Sequence, residues 1–211
     1  MSETRWWFIR HAPVDSGGVI YGQDDLPAEC HDPSLFDQLA TRLPGDAVWM
    51  VTNLQRTRQT ADALRQRLPQ GLPDYLIERD FAEQHFGTWQ GRGHAELRAE
   101  RHPEWHRFWL APATERPPEG ESFTELTARV GRALLSHSEA QQGRDVICVA
   151  HGGTIRAALS IALDIEPERA LAFSIENCSL TRIDWFAGSA GSHLPGDEGS
   201  WRVATVNLPP R

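Results

Sequence analysis

The chain has 211 residues, 40% of them hydrophobic and 24% charged, and a formal net charge of −8 at pH 7. That length is enough for one domain with a large core, and the mixture is globular rather than disordered. The acidic balance excludes a broad basic surface for nucleic acid, but charges are screened over about 8 Å at physiological salt, so a local arginine cluster can still dominate a cleft.

Other classes fall away as quickly. The three cysteines, Cys30, Cys148 and Cys178, are widely spaced and form no CxxC, which excludes a disulfide framework and a cysteine zinc site. Cys148 and Cys178 lie in apolar runs and are expected in the core. No apolar run approaches the ~18–20 residues that span a bilayer, and "MSETRWW" lacks a basic region followed by a long apolar one, so no signal peptide is expected. The expectation is a cytoplasmic protein with no membrane and no nucleic-acid partner.

In chain order, residues 5–10 read as a buried strand that ends on Arg10 and His11. "SLFDQLATRL" (34–43) sets Leu35, Leu39 and Leu43 on one helical face, and Pro44-Gly45 stops it. "AVWMV" (47–51) is a short buried strand, and 54–68 reads as an amphipathic helix. Residues 75–77 form a short strand. The region 87–120 is irregular and rich in tryptophan and charge, and is read as a helical insertion capping the site. Ser122 and Glu125 form a capping box for a helix that runs to Gly143. "DVICVA" (145–150) is a buried strand and 152–163 a helix. Two alternating strands follow, at 179–186 and 201–208, with a Gly/Ser-rich flexible loop at 187–200 between them. Strands alternating with helices predict a single α/β domain over 1–211, a three-layer α/β/α sandwich with a mostly parallel sheet.

Two of these strands end alike, as "FIRHA" and "VAHGG". In a parallel sheet, equivalent ends lie on one edge, where ligands gather. His11 and His151 are therefore placed to meet. Gly152 and Gly153 let a ligand approach the start of the next helix. The strand at 47–51 leads into Arg56 and Arg58 at the same edge, whereas Arg58, Arg65 and Arg67 are expected to be solvated. A lone histidine is most often structural; the joint arrangement of two histidines and neighbouring arginines is what points to an anion site.

"RHAP", "NLQRTRQTA", "FAEQHFGTWQG", "GES" and "VAHGG", in this order and spacing, resemble the histidine phosphatase superfamily. The likeness is to the branch holding cofactor-dependent phosphoglycerate mutase, fructose-2,6-bisphosphatase and alpha-ribazole phosphatase. It covers roughly residues 5 to 186 and implies a phosphoglycerate mutase-like fold. By this resemblance His11 is the nucleophile that becomes phosphohistidine, and Arg10 and Arg56 bind phosphate. Glu83 is the proton donor, His151 the second phosphate-pocket histidine and Gly152 a backbone donor. The chemistry is consistent, since a phosphoryl group in transfer needs charge stabilisation more than covalent help. Arg10 and Arg56 are expected to keep His11 neutral. Asp80, three residues from Glu83, is a rival acid, read as a solvated turn residue.

The chain departs from the pattern in two places. Ala12 stands where most members have glycine, and no Asn follows the nucleophile in "VDSGG"; Ser16 or Gln23 is the expected substitute, and Asp15 would repel phosphate. The resemblance implies a phosphatase acting on a small phosphorylated substrate, with no cofactor and no metal. The alternatives are a mutase and a non-catalytic phosphate-binding module. Alpha-ribazole phosphate, a sugar phosphate and a phosphoprotein all fit the site. His85, His94, His102 and His106 raise a metal reading, but Pro103 breaks the His102–His106 spacing and no carboxylate pattern completes it. Trp105 and Trp109 share a spacing that suits packing over the site.

Overall fold

A computed structural model of the chain describes residues 3–69, 71–101, 106–188 and 199–210. Its elements run β1 (Glu3–Arg10), α1 (Pro33–Ala40), β2 (Ala47–Val51), α2 (Gln55–Arg65), β3 (Leu76–Ile77), α3 (His94–Glu100), α4 (Phe123–Ala140), β4 (Asp145–Ala150), α5 (Gly152–Ala162), α6 (Pro167–Ala170), β5 (Leu180–Phe186) and β6 (Ser200–Leu208). The six strands form one sheet in the order β3-β2-β4-β1-β5-β6. β3, β2, β4 and β1 are mutually parallel, whereas β5 and β6 add an antiparallel edge.

Both faces of the sheet are covered, because the central strands are apolar on both sides. Trp6 and Phe8 of β1 and Val146 and Cys148 of β4 pack under α4 and α5, against Leu126, Val130, Ile155 and Leu159. Ile9, Trp49, Val51, Ile147 and Val149 face α1 and α2, against Phe36, Leu39, Ala61 and Leu64. Each such side chain contributes about 1.5–3 kcal/mol on burial. The α/β/α layering and mostly parallel sheet are therefore as predicted, and Cys148 and Cys178 are core residues. A third cluster, Ile20, Phe86, Trp89, Leu97 and Leu110, joins the loop after β1 to the segment 87–120.

Local chemistry sets the element ends. The Ser122 hydroxyl accepts the Glu125 N–H at 3.1 Å, and Glu125 accepts the Ser122 N–H at 2.7 Å, so α4 starts on the predicted capping box. α1 starts under Asp32, whose carboxylate accepts from the N–H groups of Ser34 and Leu35, and it ends at Ala40, short of the expected Leu43. Arg65 and Arg67 are not the solvated residues expected. Arg65 lies over Trp49 and Tyr75, and Arg67 over Phe36, with its Nε 2.9 Å from Asp37. The guanidinium groups themselves lie over the rings, and Arg65 Nη2 donates to the Leu72 carbonyl at 3.1 Å. Within 87–120 the described helix is α3, preceded by a 3-10 turn at Gly87–Trp89; His102 and Trp105, and most of the 187–200 loop, lie outside the described residues. Among the described residues no helix is long and apolar enough to cross a membrane.

Candidate active site

β1 and β4 lie side by side in parallel register, Arg10 opposite Ala150. The His11 N–H donates to the Ala150 carbonyl at 3.0 Å, which continues the ladder one residue past the strand. This pairing hangs His11 and His151 from adjacent strand ends, their ring centroids 5.2 Å apart. Both are buried, at 1% and 0% exposure.

His11 is held from two sides. Its Nδ1 lies 2.7 Å from the Ala12 carbonyl, a contact that only Nδ1–H can make, so the lone pair sits on Nε2. The Asn177 side-chain amide donates to the His11 carbonyl at 2.8 Å. Burial above all pushes the His11 pKa well below its ordinary value; the Arg56 and Arg10 charges push the same way, against the Ala12 bond. The neutral ring expected from the sequence is thus produced first by desolvation and only then by the arginines.

Arg56, at the start of α2, is fully buried. Its guanidinium donates to the Asp24 and Gly22 carbonyls at 2.8 and 2.6 Å, and its Nε points at His151 Nδ1 at 3.3 Å. Tyr21 packs against it, 5.0 Å from ring centroid to guanidinium carbon. His151 Nε2 lies 3.0 Å from the Thr52 hydroxyl. The set is satisfied by an Nε2–H His151 whose Nδ1 accepts from Arg56. Burial lowers the His151 pKa strongly, and Arg56, His11, Arg10 and Arg129 lower it further.

Arg10 donates to the Ile175 carbonyl at 2.6 Å, and its Nε is a buried donor with no partner. An unmade hydrogen bond of this kind costs about 1–3 kcal/mol, and an anion at the strand ends removes the cost.

Glu83 faces that helix start. Both carboxylate oxygens lie 3.1 Å from the Gly153 N–H, and one accepts the Gln84 N–H at 2.9 Å. Glycine at 153 lets the carboxylate come this close, since a Cβ would stand 2.1 Å from Glu83 Oε1 and push it away. Glu83 thus takes one of the two glycine N–H groups the sequence offered to phosphate, and Gly152 is the other. The rival, Asp80, is exposed in a 3-10 turn, its carbonyl bonded by Arg129. Gln23 and Arg129 both donate to the Glu83 carbonyl, at 2.8 and 3.0 Å, so Gln23 braces the Glu83 backbone. Ser16 is half-buried in the turn closed by its carbonyl and the Val19 N–H, and Asp15 is exposed, its carboxylate accepting from Gly17.

The structure therefore assembles Arg10, His11, Arg56, Glu83, His151 and Gly152 around one point, with Gln23 one step behind. Three further residues escaped the sequence reading. Thr52 orients His151, Asn177 holds the His11 backbone, and Arg156 enters from the first turns of α5. Arg156 had a readable signal, since it stands one helical turn after Gly152. Asn177 had none, because its loop reaches the site only through the β1–β5 pairing.

A cavity of about 370 Å³ opens from Arg10 and Glu83 and is lined farther out by Phe86, His94, Arg107, Phe108 and Trp109. Among the described residues no group of three or more His, Cys, Asp or Glu is placed to hold a metal ion. His106 is paired with Glu168 at 3.1 Å, and His85 Nδ1 accepts the Gly87 N–H.

A family model described as histidine phosphatase superfamily (branch 1) matches residues 6–197. The "Bifunctional protein Rv2228c" of Mycobacterium tuberculosis is 33% identical over 151 residues, which is 72% of this chain but 40% of that protein. The "Probable phosphoglycerate mutase GpmB" of Shigella boydii is 30% identical over 184 residues, covering 85% of this chain and 84% of that one. Among solved structures, the mycobacterial glucosyl-3-phosphoglycerate phosphatase Rv2419c superposes with a TM-score of 0.77 at 28% identity, over 98% of this chain and 99% of that one.

Proposed function

Because the chain belongs to the histidine phosphatase superfamily (branch 1), we propose that it hydrolyses a small phosphomonoester through a phosphohistidine on His11. The observation that carries this reading is the fixed His11 tautomer. With Nδ1–H bound to the Ala12 carbonyl, the Nε2 lone pair is the free nucleophile of a buried, neutral ring.

The steps follow from the geometry. Arg10 and Arg56 receive the phosphate oxygens, and the unpartnered Arg10 Nε gains its acceptor. His11 Nε2 attacks phosphorus as the ester P–O bond breaks. Glu83 gives its proton to the departing alkoxide. Water then attacks the phosphohistidine, Glu83 takes a proton from that water, and His11 is released with inorganic phosphate. Arginines supply the positive charge that cations supply in metal-dependent phosphatases, so the reaction needs no metal. The three cysteines are unbridged, which fits a reducing compartment such as the cytoplasm.

Likeness to a protein named as a probable mutase favours one second reading, return of the phosphoryl group to a bound substrate. Against it, Arg116 in "TERPPEG" is spent on the Gly120 carbonyl and Glu125, and no adjacent arginine pair stands there. The direct test is acid-free trapping of the enzyme with labelled phosphomonoester. Label on His11, and its loss together with turnover in a folded His11→Ala variant, is the expected result. Label on another residue, or wild-type turnover in His11→Ala, overturns the assignment.

A further inference from the structure

Three guanidinium groups enter this site, one more than a phosphate pocket of Arg10 and Arg56 requires. Arg156 donates its Nε to the Phe173 carbonyl at 2.8 Å, and its guanidinium carbon lies 4.6 Å from the Trp109 ring centroid. Its Nη1 lies 3.0 Å, and the Arg10 Nε 3.7 Å, from where a Cβ on Gly152 would stand. The two cations therefore converge beside the start of α5. Among the described residues Arg156 has no ion-pair partner, and its remaining guanidinium nitrogens have no hydrogen bond. Burial pushes its pKa down to about 10, Arg10 adds to the fall, and the Glu83 charge opposes it. Glu83 offsets part of this repulsion, but its carboxylate is bonded to the Gly153 and Gln84 N–H groups, so the Arg10 Nε and the Arg156 nitrogens keep donors for a further anion.

The cavity gives that anion its direction. Trp109, on which Arg156 stacks, is also a wall of the 370 Å³ space beyond Glu83, the side from which a leaving group departs. Phe86 and Phe108 make the same space apolar, and Arg107 at its outer part has no carboxylate partner among the described residues. A pocket of this volume suits a leaving group with a body, not a phosphate alone.

We propose that Arg156 is a substrate-binding residue that receives, between Arg10 and Trp109, a second anionic group carried by the leaving alcohol. The enzyme thereby selects phosphomonoesters whose alcohol is itself an anion. This rests on the phosphatase reading of the same site and adds its specificity.

The test uses a series of ω-carboxyalkyl phosphates of increasing chain length, each paired with its carboxamide. In the wild-type enzyme kcat/KM is expected to favour the carboxylate by tenfold or more at one chain length. In Arg156→Gln that ratio falls towards one, chiefly through the KM of the carboxylate, and Arg156→Lys restores it in part. A wild-type ratio near one at every length overturns the proposal. So does a loss in Arg156→Gln that is equal for both members of the pair, the mark of a phosphate ligand or a packing residue. A ratio that collapses only in Arg107→Gln moves the subsite to the outer arginine and likewise overturns it. If no ester turns over, the phosphatase reading fails by itself. Calorimetric binding of the same pairs then decides the subsite, a tenfold carboxylate preference supporting it and equal binding refuting it.

Discussion

Replacing Gly153 with alanine separates the function of the helix start from its stability. The new Cβ would stand 2.1 Å from Glu83 Oε1 and 3.1 Å from Leu126 Cδ2. The first contact involves the far end of a side chain, so Glu83 swings away by more than about 1 Å to restore ordinary separation. Alanine inside a helix is worth about 1 kcal/mol over glycine. A weakened charged hydrogen bond to the Gly153 N–H costs about 1.5–3 kcal/mol. The balance is a loss of about 0.5–2 kcal/mol, a fall in melting temperature of roughly 1–8 °C for a chain this size. Catalysis suffers more. A misplacement of about 1 Å can cost about 100-fold, and general acid catalysis as a whole contributes about 100- to 10,000-fold. Phosphate release from an alkyl phosphate should therefore fall by about 100-fold or more. Release from p-nitrophenyl phosphate, whose leaving group needs no proton, should fall by less than about tenfold. Equal losses on the two substrates would remove Glu83 from the role of acid and return attention to Asp80.

Three other outcomes follow from the same geometry. Activity should survive EDTA to within about twofold, since arginines carry the charge; loss restored by one particular divalent ion would contradict the mechanism. Both buried histidines have folded pKa values well below their unfolded value of about 6.5. Their stabilising contribution is full above about pH 6.5 and is lost as the pH falls towards the folded values, by up to about 1.4 kcal/mol per pH unit for each ring. Melting temperature should drop between about pH 7.5 and about pH 5, and a flat profile over that range would refute the argument. With 3-phosphoglycerate and a trace of 2,3-bisphosphoglycerate, phosphorus NMR should show inorganic phosphate outrunning isomerisation. Isomerisation faster by about tenfold, a difference of about 1.4 kcal/mol in the transition state, would favour the mutase reading.

Much of this site was legible because it follows strand periodicity. "FIRHA" and "VAHGG" end buried runs, and parallel pairing alone is enough to bring His11 beside His151. The neighbouring strand likewise brought Arg56 and Arg58 to that edge, and the family resemblance chose Arg56 between them. Contacts that depend on loop closure were not. Gln23 looked like a phosphate ligand from its place after the nucleophile, yet the loop turns its amide onto the Glu83 backbone. Asn177 comes to His11 from the loop before β5, and no local pattern marks it. Arg65 and Arg67 misled for a different reason: helical position gave their direction, but not the rings of Trp49, Tyr75 and Phe36 waiting beneath them.

The place of β1 in the sheet has a kinetic consequence. It is an interior strand, and both its partners arrive late in the chain: Arg5 and the Asp145 it pairs with are 140 residues apart. During synthesis the apolar run Trp6–Ile9 emerges long before β4 or β5 can cover it. Parallel pairing over such a span is slow, because loop closure is paid before the contacts form. His11 is therefore translated early and reaches its final surroundings late, when the strand bearing His151 docks and Asn177 closes over it. Catalytic activity should then track completion of the central sheet during refolding, rising with the slowest phase rather than with the first gain of helix.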